Sequence, residues 1–460
     1  MYKKRSKHIH FVGIGGIGMS GIAEILLNLG YRVSGSDLRE SPITERLVEL
    51  GATVGIGHRA EQLGDAEVAV RSSAIDDGNP EIIAAREQGI PVIPRAEMLA
   101  ELMRLKKFGI GIAGSHGKTT TTSMAGWVLG EGGLDPTVII GGRVDCFGSN
   151  ARLGKGEFLV AEADESDGSF IKLSPVLEIV TNIDFEHVDH YPDIDAVKVE
   201  FIRFIKKIPF YGAAIVCIDD KNIADLLPDI ERRIITYGTS SQAMVSGRDI
   251  KAKGLESDFE VCFNGEPLGR VRINLPGDHS VKNALAVIAL ALELEIPFAL
   301  IKKALARFTG VQRRMQIKGE AAGVTVIDDY GHHPTEIRAT LKALREAWPR
   351  RRLVVLFQPH RYSRTAGLFN EFGTAFHRAD RLYLAEIYPA GEKPIPGIDS
   401  ASLAAAIKEH GHREVELAGD SEGLARRIAK ELMPNDIMLT LGAGDVYRIG
   451  EEICRILAED

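Results

Sequence analysis

Residues 108–120, Phe-Gly-Ile-Gly-Ile-Ala-Gly-Ser-His-Gly-Lys-Thr-Thr, join a strand-length apolar run to a glycine turn and then to a helix-forming stretch. The run 108–113 reads as a buried strand and 119–130 as a helix, so the glycine loop falls where a parallel α/β sheet presents its ligand crevice. Gly114, Ser115, His116, Gly117, Lys118, Thr119 and Thr120 offer backbone donors, a lysine for β- and γ-phosphates and a hydroxyl for Mg²⁺. The loop departs from G-x-x-x-x-G-K-[ST] at its first position, here Ile112. ATP is the expected nucleotide.

Working outward, the same alternation of strand and helix precedes and follows this unit. A strand at 9–13, a helix at 19–29 and a strand at 31–34 frame Gly13, Gly15, Gly16 and Gly18, which satisfy G-x-G-x-x-G, with Asp37 further on. Amides at such a helix start hold a pyrophosphate. Short strands at 68–72 and 92–93 complete the unit, and Lys106–Lys107 is the expected joint.

Strands follow at 157–161, 178–182, 213–217 and 232–237, then short alternating segments at 246–275 and a helix at 282–294. A third alternation places strands at 324–328, 353–357, 381–385 and 437–441, with helices at 335–346 and 367–377. The expected fold class is therefore α/β in three domains. These are a Rossmann-like N-terminal domain at 1–107, a central P-loop ATPase-type domain with a β-rich insertion at 108–311, and a Rossmann-like C-terminal domain at 312–460.

Composition narrows the function. Hydrophobic residues are 45% and charged residues 26% of 460, usage that excludes a disordered or collagen-like chain. Net charge is −8 and no Lys/Arg block forms a phosphate-tracking stripe, so nucleic acid is not an expected partner. The absence of a long apolar run or an apolar leader predicts a cytoplasmic protein without a membrane partner. Cys146, Cys217, Cys262 and Cys454 lack C-x-x-C spacing and suggest neither disulfides nor a thiolate zinc site.

Two acidic clusters follow central strands: Glu162, Asp164, Glu165 and Asp167, then Asp184, Glu186, His187, Asp189 and His190. Oxygen ligands at strand ends suit Mg²⁺. In the third domain, Asp328 to Pro334 includes Asp329, Tyr330, His332 and His333, and a second loop carries Arg361 and Arg364. Adjacent histidines lack a third ligand nearby and do not read as a zinc pair, whereas guanidinium forks suit a carboxylate.

The motifs GIGGIGMSG, GSHGKTTTT, EADESDGSF, TNIDFEHVDHY, GDHSVKNALA, DDYGHHPTE and FQPHRYSRT, in this order over nearly the whole chain, resemble the Mur ligase family. The likeness is strongest to its branch acting on UDP-N-acetylmuramate and L-alanine. It implies ATP-dependent peptide-bond formation through an acyl phosphate, in peptidoglycan precursor synthesis. By resemblance, Lys118 bridges the β- and γ-phosphates, Thr119 and Glu162 hold one Mg²⁺, and His187 helps hold a second. Asn283 contacts adenine, and Arg314 and Asp329 reach the nucleotide from the third domain. Tyr330, His332, Arg361 and Arg364 surround the amino acid. The N-terminal glycine loop then binds UDP, with Ser20, Asp37, His58, Ser72, Ser73 and Arg95 nearby. Catalytic residues are expected at Lys118, Glu162, His187, Asp329 and His332. Ser280 stands where relatives often carry Asn, and no carbamylated lysine is expected at Lys198. A monomer or weak homodimer is expected.

Three other readings stay open at this point: a recycling ligase that adds a tripeptide to the same UDP-sugar, a nicotinamide-dependent oxidoreductase suggested by G-x-G-x-x-G and Asp37, and a non-catalytic UDP-sugar sensor.

Overall fold

The computed structural model describes residues 7–144, 149–186, 190–419 and 423–459. Strand β1 (His8–Val12) is wholly buried and pairs in parallel with β2 (Arg32–Asp37) and β4 (Val68–Arg71). With β3 (Thr53–Ile56) and β5 (Val92–Pro94) they form a parallel sheet in the order β3-β2-β1-β4-β5. The order reverses between β1 and β4, and the glycine loop at 13–18 leaves β1 at that switch point, where open α/β sheets bind ligands.

The second sheet contains β6 (Phe108–Ala113), β7 (Thr137–Val144), β8 (Ser149–Arg152), β9 (Phe158–Glu162), β10 (Leu177–Val180), β11 (Ala213–Cys217), β12 (Ile234–Gly238), β13 (Val245–Lys253), β14 (Glu256–Phe263) and β15 (Glu266–Ile273). Its order is β15-β14-β13-β12-β11-β10-β6-β9-β7-β8. The β-rich segment expected as an insertion continues this sheet: β13 joins β12 in parallel, and β14 and β15 fold back antiparallel. Strands β7 and β8 had no counterpart in the sequence reading. Helix Asp278–Glu293 is buried almost all round from Ser280 to Ala291, as an apolar helix inside a large domain must be.

The third sheet contains β16 (Gln316–Ala321), β17 (Val324–Asp329), β18 (Leu353–Phe357), β19 (Arg381–Leu384), β20 (Val415–Leu417) and β21 (Ile437–Leu441). Its order is β16-β17-β21-β18-β19-β20, parallel except for the edge strand β16. The single helix expected at 367–377 is instead two short ones, Tyr362–Gly367 and Phe369–Gly373, broken at Leu368. Gly367 and Gly373 each weaken a helix there by about 1 kcal/mol relative to Ala.

One apolar cluster runs from Ile9 and Phe11 through Leu99 and Leu102 to Ile110 and Met124, so the first two sheets share a core. The third sheet packs two clusters of its own, one on each face.

Candidate active site

Gly114 (φ +128°) follows the end of strand β6 at Ala113, and Gly117 (φ +84°) caps helix Lys118–Glu131. Both take backbone angles that a Cβ disfavours, and a Cβ on Gly114 would lie 2.1 Å from the Thr181 hydroxyl. The loop is latched to the end of β10. Asn182 accepts from His116 N at 2.8 Å and donates to His116 O at 2.9 Å, while the Thr181 hydroxyl donates to the same carbonyl at 2.6 Å.

Lys118 Nζ sits inside the loop, 2.6 Å from the Gly114 carbonyl and 2.8 Å from both carboxylate oxygens of Glu165. Burial alone would lower its pKa, but the Glu165, Asp164 and Glu186 carboxylates outweigh it and hold the ammonium charged. The Thr119 hydroxyl lies 3.3 Å from Glu162, whose other oxygen accepts from Gly141 N at 2.7 Å. Burial pushes the Glu162 carboxyl up against the bond from Gly141. Such a desolvated carboxylate next to a hydroxyl fits a hard divalent cation. His187 lies outside the described residues.

The third domain meets this loop through helix Pro334–Ala347. Its first turn is a capping box in which Glu336 accepts from His332 N and His333 N at 3.0 and 3.3 Å. Glu336 also lies 3.6 Å from His116 and 3.4 Å from Arg314. The Thr335 hydroxyl donates to Asp184 at 2.7 Å, and His116 Nε2 bonds the same carboxylate oxygen at 3.1 Å. Burial opposes the His116 charge, yet Asp184, Glu336 and Glu186 raise its pKa to about 10. The glycine loop therefore carries two side chains whose charged forms are favoured, Lys118 and His116.

His332 and His333 diverge. His332 Nε2 lies 3.5 Å from Glu186, which Arg364 also approaches at 3.3 Å, whereas His333 packs 4.9 Å from the His116 ring. Arg361 lies 3.8 Å from Glu392, so the two arginines take different acidic partners. The Tyr330 ring stacks under Arg313 and Arg314 at 5.0 and 5.1 Å. Asp329 accepts from Met315 N, Gly331 N and the Thr340 hydroxyl, so its carboxylate braces its own domain.

Between the second and third sheets lies a cavity of about 510 Å³, lined among others by Gly117, Thr120, Asn283, Arg314, Asp329 and Lys342. Ser280 also lines it, but its hydroxyl donates to the Pro276 carbonyl at 2.7 Å.

On the first domain, Gly13 (φ +83°) turns the chain so that Gly13 N and Ile14 N both bond Ser36 O at 2.9 Å. Asp37 accepts from Gly15 N at 2.8 Å. A Cβ on Gly18 would meet Arg95 at 2.8 Å, and Arg95 reaches Asp164 of the central domain at 2.8 Å. Burial pushes the Asp164 carboxyl up, but Arg95 and Lys118 outweigh it and hold it at about 2. The Ser20 hydroxyl donates to Ile17 O at 3.0 Å, His58 lies 2.9 Å from the Ser36 hydroxyl, and Ser72 N bonds Val12 O at 3.1 Å. Gly16 caps helix Ile17–Asn28, and Ser73 is exposed in the turn after β4.

Three family models match in order: Mur ligase family, catalytic domain, at 8–107; Mur ligase middle domain at 112–291; and Mur ligase, glutamate ligase domain, at 313–444. A curated relative, the UDP-N-acetylmuramate--L-alanine ligase of Desulfotalea psychrophila, is 59% identical over 460 residues, 100% of both chains. The chain belongs to the Mur ligase family. The corresponding ligase of Geobacter sulfurreducens is 55% identical over 100% of this chain and 99% of its own. Among solved structures, the UDP-N-acetylmuramate-alanine ligase of Thermotoga maritima matches with a TM-score of 0.83 at 30% identity over 98% of each chain. A murein peptide ligase of Psychrobacter arcticus shares the fold, with a TM-score of 0.72 at 24% identity over 99% of each chain.

In this Mur ligase, four residues that the motifs left without a role stand at the centre of the site. Glu165 grips Lys118, Asn182 latches the loop, Glu186 gathers Arg364 and His332, and Glu336 ties His116 to the third domain. Asn150 of β8 is a further one, donating to Ile17 O at 2.6 Å across the first junction. The acidic clusters were visible in the sequence, but the partner of each acid was not.

Proposed function

We propose that this protein joins the amine of L-alanine to the lactyl carboxylate of UDP-N-acetylmuramate at the expense of ATP, a step of peptidoglycan precursor synthesis. The observation that carries the reading is end-to-end identity of 55–59% with ligases of that name. It favours the L-alanine ligase over the tripeptide-adding, oxidoreductase and sensor readings.

A carboxylate is a poor acyl donor because oxide would have to leave. Transfer of the γ-phosphoryl group onto it yields an acyl phosphate and ADP; the amine then attacks the carbonyl carbon, loses a proton, and the C–O bond to phosphate breaks. Little covalent chemistry falls to the protein, which positions the reactants and neutralises charge. We assign ATP phosphates to Gly114–Thr120, with Lys118 on the transferring group and His116 as a second cation. Asn283 and Arg314 take the adenosine side, in a cavity of about 510 Å³. Thr119 and Glu162 would hold Mg²⁺, which supplies charge neutralisation at the phosphates; His187 is assigned to a second ion. Tyr330, His332, Arg361 and Arg364 take the amino acid, and Asp329 holds the loop that presents Tyr330 and His332.

UDP is assigned to Gly13, Gly15, Gly16 and Gly18, with Ser20, Asp37, His58, Ser72, Ser73 and Arg95 around it. Domain limits at 107/108 and 311/312, a cytoplasmic location and a monomer or weak homodimer complete the proposal. Among the described residues no helix is long and apolar enough to cross a membrane.

Coupled ADP release with each component omitted in turn tests the reading. Release that needs both the UDP-sugar and L-alanine is expected; release with a tripeptide but not L-alanine would contradict it.

A further inference from the structure

A chain of hydrogen bonds runs under the first domain from its surface to the glycine loop. Arg32 donates to His8 Nδ1 at 2.5 Å, and His8 Nε2 lies 2.7 Å from the Ser34 hydroxyl. Ser34 Oγ lies 2.8 Å from His10 Nδ1, and His10 Nε2 lies 2.6 Å from Glu81 Oε2. The other Glu81 oxygen lies 2.9 Å from His58 Nδ1. His10 and Glu81 are fully buried at 0% exposure, so these bonds have no competing water.

The polarity of the chain follows from donor counting. A carboxylate only accepts, so His10 Nε2 and His58 Nδ1 both carry the proton toward Glu81. In a neutral ring His10 Nδ1 must then accept from Ser34, whose oxygen accepts from His8 Nε2, while His8 Nδ1 faces both the Arg32 donor and the Asp65 carboxylate at 3.0 Å. From His8 Nε2 inward to Glu81 every bond agrees in direction. The Glu81 carboxyl is held below its ordinary range because bonds from His10, Ser36 and His58 outweigh its burial.

At the far end, His58 Nε2 makes no hydrogen bond to another described residue. His58 follows β3 beside Ser36, whose carbonyl anchors Gly13 and Ile14 of the glycine loop. We propose that Glu81 is a positioning residue that fixes the His58 tautomer, leaving Nε2 as a bare acceptor for an N–H or O–H donor of the bound nucleotide-sugar. The inference rests on the assignment of UDP to this loop. Two donors share that chemistry, the imide N–H of uracil and a ribose hydroxyl.

Long-range proton–nitrogen NMR of imidazole-labelled protein reads the tautomer. An unprotonated His58 Nε2 that shifts on saturation with UDP-N-acetylmuramate is expected, together with shifted amides at Gly13–Gly18. Shifted loop amides with a silent His58 ring, or a ring protonated at Nε2, would overturn the inference alone. Unshifted loop amides would sink the binding assignment itself. An N3-methyluracil analogue that no longer moves the ring supports the imide donor, and one that still does supports the hydroxyl.

In steady state, His58→Asn keeps a donor for Glu81 but lacks the far acceptor. It should raise KM for the UDP-sugar about tenfold, with kcat and KM for ATP within twofold, and His58→Gln should recover most of the loss. Glu81→Leu, if folded, should give mixed His58 tautomers and the same KM shift. A folded Glu81→Leu with unchanged tautomer and KM would contradict the positioning role, and if it does not fold the wild-type spectrum decides.

Discussion

Lys118 Nζ lies 2.8 Å from both carboxylate oxygens of Glu165, 47 residues further along the chain. The loop carbonyl of Gly114 takes a further bond at 2.6 Å, so the ammonium is held within the turn that would cradle a phosphate. Lys118→Ala removes that charge from a buried site, where a preorganised donor is worth more than in water. Turnover should fall about 10²–10³-fold while the fold persists. Near-normal kcat with unchanged circular dichroism would refute the role of the lysine.

Thr119 at the start of helix Lys118–Glu131 and Glu162 at the end of β9 form an oxygen pair 3.3 Å apart. Glu162→Gln keeps the shape and the acceptor toward Gly141 but removes the negative charge a divalent cation needs. The Mg²⁺ concentration for half-maximal turnover should rise at least about tenfold, a loss of ~1.4 kcal/mol or more. A Mg²⁺ titration checks this, and an unchanged midpoint would place the ion elsewhere.

The glycine loop at 114–120 was legible because its glycines, lysine and threonine must fall at a strand-to-helix junction, and both flanks are local patterns. The partners of its side chains were not, since Glu165 and Glu336 reach Lys118 and His116 only once separate segments have packed. Likewise the alternation at 246–275 announced strands but not the sheet they extend, which is decided by the parallel pairing of Tyr237 with Val245. The helix expected at 367–377 failed for a local reason: Leu368, Phe372 and Phe376 keep helical spacing, but the backbone breaks at Leu368 between two glycine-ended turns.

Arg364 meets Glu186 at 3.3 Å across the junction of the second and third domains. Two residues of one motif therefore face different acids, because Arg361 turns toward Glu392. Arg364→Lys preserves charge and loses the planar fork. KM for L-alanine should rise several-fold more than KM for ATP; equal changes in both would assign Arg364 to domain docking alone.

Glu178 is buried at 0% exposure in β10, and neither carboxylate oxygen has a hydrogen-bond partner among the described residues. Burial raises its pKa well above the ordinary value of 4.5. The native state therefore keeps a proton that the unfolded chain releases, so this residue's contribution is favourable below pH 4.5 and is lost as pH rises toward the folded value. Glu178→Met should raise the melting temperature at pH 7.5, by about 2–4 °C for each ~1 kcal/mol recovered, and flatten its decline above pH 5. A variant less stable than wild type at pH 7.5 would show that the acid has a partner in solution.

The most direct measurement of the reaction places ¹⁸O in the lactyl carboxylate of UDP-N-acetylmuramate and follows it by mass spectrometry with ATP and L-alanine. An acyl phosphate formed at Lys118 and expelled by the amine carries one labelled oxygen into inorganic phosphate and leaves the other in the new amide. Unlabelled phosphate alongside ADP would contradict transfer to the carboxylate, and with it the account of the site.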